Sequence, residues 1–278
     1  MRRDIVVVTL LWALFTLVGE GIAFTVDFLP VQGAEEAAII DEAFRLLLVL
    51  SIPVAALVLA FLLYSLFRFR ASDGELQDGP PVRNHPAVAR LWVLGSLVLA
   101  VYIVFNPGLK GIRELEANRT ADLVIQIEGV QWHWNVRYPQ YDLSYEWALQ
   151  IAMPVDTRVK FEITSQDVIH SVWIPAFRTK MDAVPGKVTT LYVTPTQVGT
   201  YEADPNFRVQ CAELCGTGHP LMRMTVRVLE PEAFQEWLEA AKVQAAMAGG
   251  GMSGMSGMGE EMGGMGEGST EMESDAGH

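Results

Sequence analysis

Hydrophobic positions follow two regimes along this chain: unbroken runs before residue 110 and strict alternation after residue 122. The runs Ile5–Gly19, Leu46–Phe67 and Leu91–Leu109 carry no charge. A helix needs about 20 apolar residues to cross a bilayer. The second and third runs meet that length and predict transmembrane helices over about 44–67 and 89–109, together an anchoring hairpin within residues 34–110. The first run follows Met1-Arg2-Arg3 and is interrupted by Glu20. Residues 1–33 therefore read either as a signal peptide, with small residues Gly33 and Ala34 at a cleavage point, or as an extra transmembrane helix.

After Asp122 the period becomes two, the mark of half-buried strands. Trp132, Trp134, Val136 and Tyr138 alternate with Gln131, His133, Asn135 and Arg137, which puts Trp132 on the core face beside Trp134. Val159, Phe161 and Ile163 alternate with Lys160 and Glu162, as Met224, Val226 and Val228 do with Arg223, Thr225 and Arg227. Short strands separated by turns such as Pro185-Gly186 predict an all-β sandwich over residues 111–247. Pro231-Glu232 opens a helix whose Phe234, Trp237, Leu238 and Ala241 share one face and close that domain. Residues 248–278 are Gly, Met, Ser and Glu without periodicity, too little apolar surface to offset ordering entropy, so a disordered acidic tail is expected. Seven of the 12 methionines fall between Met247 and Met272, and clustered thioethers suit Cu(I).

Charge orients the anchor. Arg68, Arg70, Arg83 and Arg90 lie between the second and third runs, whereas Glu35, Glu36, Asp41 and Glu42 lie between the first and second. Cations flanking membrane spans stay on the cytoplasmic side, so the arginine loop is inside and everything after residue 110 is outside. The net charge of −13 belongs mostly to the ends, because residues 107–247 hold 13 lysines and arginines against 17 acidic residues, a net of −4. Long-range steering of a cationic partner is then moderate, and nothing favours nucleic acid as a partner.

The chain's two cysteines both lie in CAELCGTGHPLM, residues 211–222. An outside domain permits a disulfide between Cys211 and Cys215. Zinc wants a second close pair of nitrogen or sulfur ligands, and here a single histidine and a methionine follow. Thiolate, thioether and imidazole together select copper, and Cys215, His219 and Met222 fit the tight loop of a one-copper site completed by His170 from a separate strand. Cys211 is then left over, and two thiolates in one loop can bridge two copper ions. Such a pair shares an electron with little change of geometry.

CAELCGTGHPLM, the upstream DVIHSVWIPAFRTKMDAVPG, the QWHW segment and the preceding pair of membrane runs, in that order, resemble cytochrome c oxidase subunit II over roughly residues 40–245. The resemblance implies a cupredoxin-like Greek-key sandwich anchored by amino-terminal helices. It implies that His170, Cys211, Cys215, His219, Met222 and the carbonyl of Glu213 hold a binuclear copper centre, CuA, and that the Glu213 side chain shares a magnesium with subunit I. It further implies that Trp132 takes up electrons from cytochrome c or a related small donor, that Asp182 lies on the docking face, and that subunits I and III are partners within a bacterial plasma membrane whose lipid surrounds the helices. Oxygen reduction belongs to subunit I. The CxxCH motif of covalent heme attachment is absent. The chain departs from the family in three places: a long approach from Tyr201 to Cys211, Ala89 where a glutamate on a proton path often stands, and the additional first run. Two other readings share parts of this pattern, the CuA subunit of a nitric oxide reductase and a membrane-anchored copper-delivery protein.

Overall fold

The computed structural model describes residues 2–70 and 85–253. Arg83 and, from Gly254 onward, the tail expected to be disordered lie outside the described residues. Among the described residues, three helical stretches are long and apolar enough to cross a membrane. The first, α1 (Arg2–Thr25), lies antiparallel against α2 (Glu35–Arg68). Small and polar groups bring the two close. The Trp12 indole donates to the Pro53 carbonyl at 2.9 Å, and a Cβ on Gly19 would sit 2.8 Å from Ile52 Cγ2. At the arginine end the Tyr64 hydroxyl donates to Asp4. The third helix, α3 (Pro86–Ile103), starts with Pro at its first turn, where a missing N–H costs nothing. The helix expected over 89–109 breaks at Asn106, whose extended φ of −142° and ψ of 109° are what a residue before proline prefers. The chain then resumes as α4 (Lys110–Glu116).

The outer domain contains β1 (Leu123–Val130), β2 (His133–Tyr138), β3 (Leu143–Tyr145), β4 (Gln150–Pro154), β5 (Val159–Ser165), β6 (His170–Ile174), β7 (Thr179–Ala183), β8 (Thr189–Val193), β9 (Gly199–Thr200), β10 (Arg208–Cys211) and β11 (Arg223–Leu229). They form two sheets, β3-β2-β1-β5-β8 and β4-β11-β10-β6-β7, with β9 added on β11. Alternation does what it predicts, since Ile125, Ile127, Trp134, Val136, Phe161 and Ile163 of one sheet and Met224, Val226 and Val228 of the other are buried. Each such side chain contributes about 1.5–3 kcal/mol. The closing helix α5 (Pro231–Ser253) extends beyond the boundary expected at residue 247 and buries Phe234, Leu238 and Ala241. The buried Tyr138 hydroxyl donates to the Ala152 carbonyl and accepts from the Ala152 amide, both at 2.9 Å.

The largest difference from the hydrophobic pattern is the start of α2. It begins at Glu35, not near residue 44, because Glu36 and Asp41 are buried against cations of the β domain rather than solvated. The preceding linker is sewn in as well. The Gly33 amide donates to the Ala176 carbonyl, the Thr196 amide to the Gly33 carbonyl and the Glu35 amide to the Thr194 carbonyl.

Candidate metal centre

Antiparallel pairing of β6 with β10 sets Cys211 opposite Val172 and so brings His170, at the start of β6, beside the loop that leaves β10. That loop is closed where the Cys211 amide donates to the Met222 carbonyl at 3.0 Å, and held to β6 by the Ala212 amide donating to the Ser171 carbonyl. Ligand atoms of His170, Cys211 and Cys215 lie within 4.8 Å of one another, and all three residues are buried. The two Sγ atoms are 3.7 Å apart, well beyond a bond of about 2.05 Å, and both thiols are free. The disulfide alternative therefore does not hold. His219 Nδ1 is 3.6 Å and Met222 Sδ 3.8 Å from Cys215 Sγ. The Glu213 carbonyl lies 3.3 Å from Cys211 Sγ, while its side chain is exposed.

His170 is aimed. Its Nε2 bonds Asp167 Oδ1 at 2.8 Å, and its Nδ1 is buried with no hydrogen-bond partner. A buried nitrogen left unpaired costs about 1–3 kcal/mol, whereas a carboxylate on the far nitrogen is how proteins orient an imidazole toward a metal. Burial pushes the Asp167 carboxyl up, but hydrogen bonds from His170 and from the Gln131 and Val168 amides outweigh it and hold the group down at about 2. The ring also needs Gly129, where a Cβ would stand 2.7 Å from His170 Cδ2. Burial, and then the neighbouring Cys211, push the Cys215 thiol up to about 12. Two adjacent thiolates thus require a cation, and metal uptake must displace protons. Two thiolates with imidazole would suit zinc or copper, and the Met222 thioether 3.8 Å from Cys215 Sγ is the donor that suits copper.

Trp132 departs from the alternation that put it in the core. Strand β2 begins only at His133, and Trp132 precedes it, 37% exposed. Its indole N–H donates to the Cys215 carbonyl at 3.1 Å, alongside the Gln131 amide side chain at 2.8 Å. The ring lies so close over the loop that a Cβ on Gly218 would approach it to 2.4 Å. Asp182 is exposed on β7 opposite Ser171, at the same end of the sheet as His170 but apart from the cluster. Sequence reasoning missed Asp167, Gln131 and Gly129. The Asp-x-x-His spacing carried a signal for the first, and nothing local marked the other two.

The family model described as cytochrome c oxidase subunit II, periplasmic domain, matches residues 144–229. A cytochrome c oxidase subunit 2 from Thermostichus vulcanus is 28% identical over 274 aligned residues, covering 80% of this chain and 81% of that protein. One from Cereibacter sphaeroides is 29% identical, covering 70% and 74%. Among solved structures, the periplasmic domain of subunit II of the cytochrome oxidase of Bradyrhizobium japonicum is 31% identical, covering 45% of this chain and 97% of that one at a TM-score of 0.41.

Proposed function

The chain belongs to the cytochrome c oxidase subunit II family, a component of an oxidoreductase complex, and from that premise we propose that its cupredoxin-like domain is the electron-receiving part and holds a binuclear CuA centre. The observation that carries this reading is the buried convergence of His170, Cys211 and Cys215, with one imidazole nitrogen unpaired and two thiols unbonded. The thiolates of Cys211 and Cys215, the imidazoles of His170 and His219, the Met222 thioether and the Glu213 carbonyl would hold the metal. Copper bound there would supply one-electron transfer.

The protein's own groups prepare that site. Asp167 fixes the His170 ring, and Gln131 and Trp132 hold the Cys215 carbonyl and so the loop. Burial of both cysteines keeps water away. Trp132 is the surface group through which cytochrome c, or a related small donor, reaches the loop, with Asp182 on the rim of the docking face. The exposed Glu213 side chain is free to share a magnesium with subunit I, which receives the electrons and reduces oxygen, with subunit III alongside. The three apolar helices among the described residues support a membrane-anchored chain with its β domain outside, and we read that membrane as a bacterial plasma membrane. The relatives are oxidase subunits by name, which favours oxidase over nitric oxide reductase or copper delivery.

The test is electron paramagnetic resonance on the purified full-length chain loaded with copper in detergent. Hyperfine structure from one electron shared by two equivalent coppers is the expected result. A single copper per chain overturns the binuclear reading.

A further inference from the structure

We propose that Arg178 and Asp41 form a positioning clamp that sets where the metal cluster stands over the membrane helices, and thereby governs electron delivery into the membrane but not uptake from the donor. The inference rests on the electron-transfer reading above. Strand β6 carries His170 at its first position. At its other end the short turn Pro175–Phe177 leads directly to Arg178. The guanidinium grips Asp41, in the second turn of α2, with both arms: Nε to Oδ1 at 2.7 Å and Nη2 to Oδ2 at 3.0 Å. Its remaining N–H groups donate to the carbonyls of Pro30, Val31 and Pro175. Gln32 adds a bond to Asp41 Oδ2 at 2.7 Å. The same strand therefore holds a ligand at one end and the membrane hairpin at the other.

The two side chains are 9% and 3% exposed. Taking both charges out of water costs several kcal/mol each before pairing offsets it. A mere tether needs no such burial, since a solvated linker would join domain to helix at less cost. What the bidentate fork adds is a fixed direction and distance. A second pair beside it, the buried Glu36 with the part-buried Arg158, and the Gly33 seam to Ala176 and Thr196 tie the linker and helix to the domain as well. Electron tunnelling decays exponentially with separation. Delivery to an acceptor buried in subunit I therefore depends on how the domain sits on the helices. Uptake does not, because a soluble donor docks on the domain itself and moves with it.

The experiment uses the whole purified oxidase and the metal-free full-length chain, each as wild type, Arg178→Met, Arg178→Lys and the near-isosteric Asp41→Asn. In the oxidase, Arg178→Met and Asp41→Asn should keep the two-copper resonance and the rate of reduction by donor, while onward transfer to heme slows severalfold. Arg178→Lys, which keeps charge but not the fork, should recover part of that rate. In the metal-free chain, hydrogen exchange at the Gly33, Glu35 and Thr196 amides should accelerate about tenfold or more, with the Cys211 and Ala212 amides unchanged. Faster exchange with undiminished onward transfer overturns the proposal. So does an altered copper resonance in Asp41→Asn, which would put the effect inside the metal site. One copper per chain in the wild type overturns the electron-transfer reading instead, and the exchange data still decide whether the clamp fixes the junction.

Discussion

The two ends of strand β6 treat buried polar groups in opposite ways. At the junction end, the carboxylates of Asp41 and Glu36 are met by the guanidinium groups of Arg178 and Arg158. At the metal end, His170 Nδ1 has no partner and the thiols of Cys211 and Cys215 face each other unbonded. Both arrangements are costly to form, but at the junction the opposite charges are paired within the protein, whereas the metal end gathers sulfur and nitrogen donors around one point. Paired buried charge marks architecture, whereas convergent soft donors around an unpaired buried imidazole nitrogen mark a place completed by a ligand.

The comparison can be broken most severely at Cys215, which touches Cys211, His219 and Met222. Cys215→Ser should abolish the two-copper resonance and electron transfer, read by spectroscopy and turnover, while the metal-free fold melts within a few degrees of wild type. At the junction the expectation is reversed. Glu36→Gln leaves Arg158 buried without its carboxylate, and denaturation should show a loss of about 3–5 kcal/mol with the copper resonance intact. Gly129→Ala sharpens the contrast from inside the metal end. Its Cβ presses on the His170 ring, so about 1–3 kcal/mol of stability should be lost together with copper affinity, measured by competition with a chelator. The smallest structural effect belongs to Trp132→Ala, which removes one part-buried hydrogen bond worth about 1 kcal/mol. Copper content should hold while stopped-flow reduction by the donor slows. Unchanged reduction would assign donor contact to another surface.

Much of this was legible in the chain. Uncharged runs announced the helices, and Val159, Phe161 and Ile163 gave their burial by alternation. The spacing of Cys211, Cys215, His219 and Met222 placed four donors on one loop, because a loop that short cannot keep them far apart. Period two misled at Trp132, since alternation assigns a face only where the strand has begun, and a turn intervenes. Glu36 and Asp41 were legible only as charges on the outer side, and no local pattern could tell that they are buried, their partners being 122 and 137 residues away.

The sequence by itself determined which segments could enter a membrane, which could pair as strands, and which atoms could bind a soft metal, because each of these depends on residue type at short spacing. Tertiary structure alone decided that His170 meets the cysteine loop through the pairing of β6 with β10, that its Nδ1 is left without a partner beside that loop, and that Arg178 binds Asp41. Those outcomes depend on contacts between distant segments, whose free energy exists only once the sheets have packed and water has been excluded.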